Sequence, residues 1–64
     1  MLEKWIGDAI ARMKVNGIRQ KDVAREMGVA ENYLSMILNG KRNPARGRAA
    51  VEDAIEVLIA RKEA

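Results

Sequence analysis

The chain has 64 residues, of which 48% are apolar, with one Trp, one Tyr and no Phe, Cys or His. This composition allows one small hydrophobic core and excludes disulfides, thiol chemistry, imidazole catalysis and the usual zinc sites. The net charge is +3, but residues 12–48 carry nine basic and three acidic side chains, a balance of +6 that is typical of a polyanion-binding surface or of a solvated surface with a basic bias.

The first predicted element is a helix that ends at Asn16-Gly17. Its apolar residues recur at the spacing of one helical face, at Leu2, Trp5, Ile6, Ala9, Ile10 and Met13. Glu3 in the first turn and the basic Arg12 and Lys14 in the last turn suit the helix dipole. Gly7 lies inside this helix, where it costs about 1 kcal/mol relative to Ala, and close packing is the one reason for it that the sequence offers.

Two short helices follow, over about Gln20–Met27 and about Glu31–Asn39. Gly28 joins them and supplies the positive φ of a tight left-handed turn. The residues expected to face the core across this turn are Val23, Ala24, Met27, Val29, Leu34, Ile37 and Leu38. The spacing predicts a helix-turn-helix in preference to a plain corner between two helices.

The last predicted helix runs from about residue 48 to 62, after the basic turn KRNPARGR. Pro44 could open a helical turn, but Gly47 favours a start near Arg48. The core stripe of this helix is Val51, Ala54, Ile55 and Leu58. Ala50, Val57 and Ile59 widen its apolar arc to about 200°, against the roughly 100° that a core-facing helix needs. The excess indicates either a homodimer interface at Ala50, Val57 and Ile59 or a last helix that the core wraps more fully.

The segment from Gln20 onwards resembles the Cro/repressor-type, Xre-like helix-turn-helix family of phage and bacterial DNA-binding regulators. The residues that carry the resemblance are Gln20, Ala24, Gly28, Val29, Leu34, Ile37 and the run from Asn39 to Pro44. The resemblance implies an all-α, compact four-helix domain of the lambda-repressor-like type. It also implies that Gln20 opens a helix lying across the phosphates and that Glu31–Asn39 is the recognition helix. Base contacts are implied for Glu31, Asn32 and Met36, and phosphate contacts around Asn39, Lys41 and Asn43.

Residue chemistry supports the same assignment for the third helix. Asn32 can pair with adenine N6 and N7, Glu31 can accept from cytosine N4, and Met36 and Ala30 can contact thymine methyl groups, with Ser35 on the same outward face. The alternative for each is a solvated residue, and for Met36 an edge of the core. Phosphate contacts are further expected from Arg19 and Arg42, and from Tyr33 unless it packs against the fourth helix.

The sequence departs from the family pattern at two pairs of positions. Arg19 and Ala30 stand where Thr or Ser often caps the second and third helices, which gives up caps worth roughly 1 kcal/mol each. Met13 and Leu38 stand where an Arg and a Glu often form an ion pair. Because both partners are replaced, an apolar contact remains and the fold is expected to be intact.

The sequence therefore predicts one domain over residues 1–64 that binds a palindromic operator in double-stranded DNA as a small dimeric repressor, the dimer forming in solution or only on DNA. An antitoxin-like or adaptor protein that mainly binds another protein is the alternative, and structured-RNA binding is a third. No catalytic residue, metal site, cofactor or small-molecule ligand is expected. The absence of disulfides, of a signal peptide and of any apolar run of about 20 residues favours the cytoplasm.

Overall fold

The computed structural model describes residues 3–41 and 44–63, apart from the side chains of residues 44–46. All regular structure in these ranges is helical: α1 is Lys4–Val15, α2 is Gln20–Met27, α3 is Glu31–Leu38 and α4 is Pro44–Glu63. The predicted all-α, four-helix architecture is therefore confirmed.

The two ends of α1 differ in how well the sequence predicted them. Glu3 precedes the helix instead of lying in its first turn, and its carboxylate accepts a hydrogen bond of 3.0 Å from the indole Nε1 of Trp5. At the other end, Gly17 has a φ of +66° and Ile18 N–H donates to the carbonyl of Met13 over 2.8 Å. The predicted stop at Asn16-Gly17 is thus confirmed, because the left-handed glycine lets the chain close the last turn and leave the helix.

One hydrophobic cluster receives side chains from all four helices. Its buried members are Trp5, Ile6, Ala9, Met13, Ile18, Val23, Ala24, Leu34, Ile37, Leu38, Val51, Ala54 and Ile55. Ile10, Met27, Val29, Leu58 and Ile59 are partly buried against it. Met13 and Leu38, which stand where the family often has an ion pair, are both buried. The core therefore holds apolar side chains at these positions, and no charge pair has to be removed from water there.

The start of α4 was predicted wrongly. The helix begins at Pro44, four positions before the expected Arg48, and continues through Gly47. Proline suits the first helical position, where its missing N–H leaves no bond unmade. A Cβ at Gly47 would lie 3.0 Å from Cδ1 of the buried Ile37. This glycine therefore allows α4 to approach α3 closely and does not break the helix.

The end of α4 is tied to α1 and α2 by polar contacts that the sequence did not reveal. Arg61 Nη1 lies 3.2 Å from Glu26 Oε1 on α2, and the ammonium group of Lys62 donates to the carbonyl of Asn16 at the end of α1. Arg12 Nη2 lies 3.6 Å from Glu56 Oε1. Such exposed pairs are worth up to about 1 kcal/mol each, so they orient α4 more than they stabilise the fold.

Candidate nucleic-acid interface

The turn between α2 and α3 sets the direction of the third helix. Gly28 ends α2 with a φ of +74°, its N–H donates to the carbonyl of Arg25 over 3.1 Å, and Val29 N–H donates to the carbonyl of Ala24 over 3.0 Å. These two bonds satisfy carbonyls at the end of α2 and leave three residues, 28–30, before α3 begins. The tight glycine turn predicted at Gly28 is confirmed.

The faces of α3 are separated as the spacing predicted. Leu34, Ile37 and Leu38 are buried, whereas the side chains at the start of the helix are exposed, namely Ala30, Glu31, Asn32 and Tyr33. Ser35 and Met36 are half-buried. The five positions predicted to contact bases therefore divide into two groups. Ala30, just before α3, and Glu31 and Asn32, in its first turn, are exposed, whereas Ser35 and Met36 lie closer to the core.

The outer face of α3 holds little charge and one internal hydrogen bond. Glu31 is its only acidic or basic residue among those described, and the Asn39 side-chain Nδ2 donates to Ser35 Oγ over 3.4 Å. This bond leaves the Asn39 carbonyl oxygen and the Ser35 hydroxyl proton available to other groups. The face therefore offers short donors and acceptors together with the apolar side chain of Met36.

The end of α3 holds Lys41 in place through its backbone. Gly40 has a φ of +73° and its N–H donates to the carbonyl of Ile37 over 3.0 Å, while Lys41 N–H donates to the carbonyl of Met36 over 2.9 Å. The Lys41 side chain is exposed beside Asn39. Arg42 and Asn43, also predicted to contact phosphates, lie outside the described residues.

At the start of α2, the structure provides a cap that the sequence reasoning missed. The Arg19 guanidinium has no acceptor atom, so it cannot cap the helix, and neither Arg19 nor Ala30 makes a side-chain cap bond. Instead, the Asp22 carboxylate accepts the Arg19 backbone N–H over 3.1 Å, which is one half of a capping box. The acid three positions after Arg19 was the available signal. Arg19 and Gln20 both keep exposed side chains.

The basic side chains fall into paired and unpaired groups. Arg12, Arg48 and Arg61 form ion pairs with acids on α2 or α4, the Arg48 Nε to Glu52 Oε2 distance being 3.3 Å. Lys62 makes no ion pair but donates to the carbonyl of Asn16. The remaining exposed cations make neither an ion pair nor a side-chain hydrogen bond with any described residue, and they are Lys4, Lys14, Arg19, Lys21, Arg25 and Lys41. Four of these six cations therefore lie in residues 19–41, the segment that contains α2 and α3.

The three residues predicted to form a dimer interface have different surroundings. Ala50 and Val57 are exposed, and the Val57 side chain keeps 42% of its accessible surface. Ile59 is partly buried and packs against the core. Part of the wide apolar arc of α4 is therefore absorbed by the fold, and the part around Ala50 and Val57 is not.

The described residues form neither a buried polar site nor a cluster of metal ligands. No polar or charged residue among them is buried, and no group of three or more acids is arranged to hold a metal ion. An open groove of about 170 Å³ lies between α4 and the start of α2, smaller than the roughly 300–1,000 Å³ of ligand pockets. None of the helices in these ranges combines the length and apolar character needed to span a membrane.

Comparison with known proteins gives one match. The helix-turn-helix family model matches residues 11–50, which are 40 of the 64 residues. The matched range runs from the second half of α1 into α4 and includes all of α2 and α3. No curated protein and no solved structure matches the chain.

Proposed function

The chain belongs to the helix-turn-helix family of the Xre/Cro/cI type, a family of DNA-binding regulators, and from this membership we propose that it is a sequence-specific transcriptional repressor. The observation that carries the proposal is the outer face of α3, which is exposed at Ala30, Glu31 and Asn32 and has few charges. Base edges in the major groove present donors, acceptors and methyl groups, which short polar and apolar side chains match.

In the proposed complex, α3 lies in the major groove with its first turn toward the bases. Asn32 pairs with adenine N6 and N7, and Glu31 accepts from cytosine N4. Ala30 and Met36 contact thymine methyl groups, and Ser35 contributes its hydroxyl. The three exposed residues at the start of α3, Ala30, Glu31 and Asn32, have the freest access, so they carry most of the sequence preference.

Phosphate contacts hold α3 in register. We assign them to Arg19, Gln20, Tyr33, Asn39 and Lys41, together with Arg42 and Asn43 from outside the described residues. Arg19 and Lys41 are exposed cations without an ion pair to any described residue, which leaves them ready to neutralise a phosphate. These contacts position the protein and add affinity for every sequence.

The proposed repressor acts as a homodimer on a palindromic operator. Two copies related by a two-fold axis would read two half-sites about one helical turn apart. Ala50 and Val57, which are seven positions apart on one exposed side of α4, are the proposed contact, whereas Ile59, also expected there from the sequence, packs against the core. A dimer bound across a promoter would block it by occlusion. This role assigns residues 1–64 to one DNA-binding domain that works in the cytoplasm.

A protein-binding adaptor is the second candidate, and exposed valines favour it. Val15 keeps 85% of its accessible surface and Val57 keeps 42%, so both could contact another protein. The adaptor function requires a stoichiometric partner that co-purifies with the chain, whereas the repressor function requires none.

Selection of bound sequences from a random pool of duplex DNA tests the proposed function. The proposal predicts enrichment of a palindromic consensus with half-sites about one helical turn apart. Structured RNA included as a competitor should not displace the selected duplex. A pool that shows no enrichment after repeated rounds, while the protein remains folded, would contradict sequence-specific binding.

A further inference from the structure

Two hydrogen bonds join Ser35 to Asn39 along one side of α3. The Asn39 backbone N–H donates to the Ser35 carbonyl over 3.0 Å, and the Asn39 side-chain Nδ2 donates to Ser35 Oγ over 3.4 Å. Ser35 is half-buried and Asn39 is exposed. The backbone bond keeps Asn39 one helical turn after Ser35, so its amide reaches the hydroxyl from the end of the helix.

The proton of the Ser35 hydroxyl is not used by the helix. A serine inside a helix often donates to the backbone carbonyl four residues earlier, which here is that of Glu31. Ser35 makes no such bond, and the contact with Asn39 is its only side-chain hydrogen bond to a described residue. The proton is therefore available to a partner in front of α3.

The bond from Asn39 sets the polarity of this hydroxyl. A free serine hydroxyl has one proton and two lone pairs, so it can donate or accept and distinguishes bases poorly. Here Asn39 Nδ2 occupies one lone pair, which directs the proton away from Asn39. A hydroxyl that accepts one hydrogen bond also donates the next one more strongly, because the two bonds polarise each other. Ser35 is therefore a better donor than acceptor.

We propose that Asn39 positions the Ser35 hydroxyl as a donor, so that Ser35 selects a base with a keto oxygen, guanine or thymine. The inference rests on the proposed function and names the class of base that Ser35 recognises. In the major groove guanine presents N7 and O6 and thymine presents O4, all of them acceptors, whereas adenine and cytosine present amino donors. The second proton on Asn39 Nδ2 remains free for the phosphate contact assigned to this residue.

The test compares base preferences by titration against the selected consensus and each of its single-base variants. Ser35→Ala identifies the base pair that the hydroxyl reads, because the preference there should be lost. The wild-type protein should prefer guanine or thymine at that position by roughly 3- to 10-fold per half-site, the effect of one net hydrogen bond. The affinity of Ser35→Ala for an unrelated duplex should stay close to that of the wild type.

Asn39→Asp reverses the polarity of the hydroxyl with little change of shape. An ionised carboxylate only accepts hydrogen bonds, so it should take the Ser35 proton and leave the hydroxyl lone pairs toward the base. This variant should then prefer adenine or cytosine at the same base pair. Its negative charge near the phosphates should also weaken binding to every sequence, which is a separate and uniform effect.

Two further variants separate base reading from charge. In the Ser35→Ala background, Asn39→Asp should cause the uniform loss alone, without any change in base preference. Asn39→Ala adds no charge and should weaken the preference for guanine or thymine, because the hydroxyl is then free to rotate. Circular dichroism should show wild-type helicity in all variants, since neither side chain belongs to the buried core.

A wild-type base preference in both Asn39→Asp and Asn39→Ala would overturn this inference, and so would a wild-type preference at every base pair in Ser35→Ala. In either case the proposed function would stand. A wild-type preference for adenine or cytosine at the base pair that Ser35 reads would likewise contradict the donor role. A wild-type protein that enriches no sequence would refute the proposed function, and this inference with it.

Discussion

At Lys41 the backbone and the side chain have separate tasks. The N–H of Lys41 closes the end of α3 by donating to the carbonyl of Met36 over 2.9 Å, while the ammonium group is exposed. A substitution that keeps the backbone therefore removes the charge without removing the cap. This separation makes Lys41 the clearest position at which to measure a phosphate contact.

Replacing Lys41 by Ala should weaken binding to all DNA sequences to a similar degree. Loss of one phosphate contact should also reduce the slope of log K against log salt by about 1. Titrations of the selected operator and an unrelated duplex over a range of salt concentrations measure both effects, with Lys41→Arg as the control that keeps the charge. A loss confined to one base pair of the operator would instead assign Lys41 to base reading.

At the residue scale, burial was more predictable than hydrogen bonding. The apolar spacing predicted that Leu34, Ile37 and Leu38 are buried, because the helical period fixes which residues share a face. The bond between Asn39 and Ser35 was not predicted, since it depends on side-chain rotamers that spacing does not determine. The sequence left open whether Met36 faces outward or lies at an edge of the core, and its half-burial depends on how closely α3 approaches its neighbours.

At the scale of the elements, two glycines inside helices have opposite surroundings. A Cβ at Gly7 in α1 would meet no atom within 4 Å, so the close packing considered as its reason is absent. A Cβ at Gly47 in α4 would lie 3.0 Å from Cδ1 of Ile37. Gly7 therefore lowers the stability of α1 without a packing benefit, whereas Gly47 is needed for the close packing of α4 against α3.

Gly7→Ala should stabilise the protein by about 1 kcal/mol, because alanine loses less backbone freedom when the helix forms. This corresponds to a rise in Tm of about 4–8 °C for a domain of this size. Thermal unfolding followed by circular dichroism measures the change.

Gly47→Ala is the matched control, and it should lower the stability by about 1–2 kcal/mol. The added methyl group would press on the fully buried Ile37, and overpacking of a core costs more than the helix propensity returns. Equal stabilisation by the two substitutions would show that α4 can move away from α3 without cost.

The bounds of a helix were predicted well where a residue at its end, such as a glycine with a positive φ, marks the end in the sequence. The bounds of α2 and the left-handed Gly28 follow from apolar spacing and one glycine. The start of α4 was predicted wrongly because a glycine in a sequence usually signals the end or the absence of a helix. Here Gly47 lies inside α4, and the reason for it is its close approach to Ile37 on α3. A contact between residues ten positions apart in different helices is not contained in any local pattern.

At the scale of the whole molecule, the ion pairs within the fold include none of the described cations in residues 19–41, the segment that contains α2 and α3. Arg12 and Arg61 are paired with acids on other helices, whereas Arg19 and Lys41 are not paired with any described residue. The charge count predicted a basic region, but it could not tell which cations the fold itself neutralises. That division requires the positions of α1, α2 and α4 relative to one another.

The proposed dimer predicts that an exposed valine on α4, Val57, is needed for self-association. Val57→Glu should impair self-association and lower operator affinity while leaving the monomer folded, because 42% of the valine side chain is exposed and glutamate is a good helix former. Sedimentation in the presence and absence of operator measures the association, and circular dichroism checks the fold.

Val15→Glu is the matched control, since it makes the same change at an exposed valine on α1. It should leave the association and the affinity unchanged. If Val57→Glu loses helicity together with binding, Val57 supports the core and the proposed dimer contact is wrong.

The central claim is that the first turn of α3 reads bases, and Asn32 tests it most directly. Its side chain is exposed and makes no hydrogen bond with any described residue, so its amide is free to donate to N7 and accept from N6 of an adenine. The measurement is a titration of wild-type protein and Asn32→Ala against the selected consensus and each of its single-base variants. Asn32→Ala should lose about 1–3 kcal/mol on the consensus, much less on unrelated DNA, and its preference at one base pair of each half-site. An equal loss on every sequence would assign Asn32 to the phosphates, and no loss on any sequence would contradict the docking of α3 in the major groove.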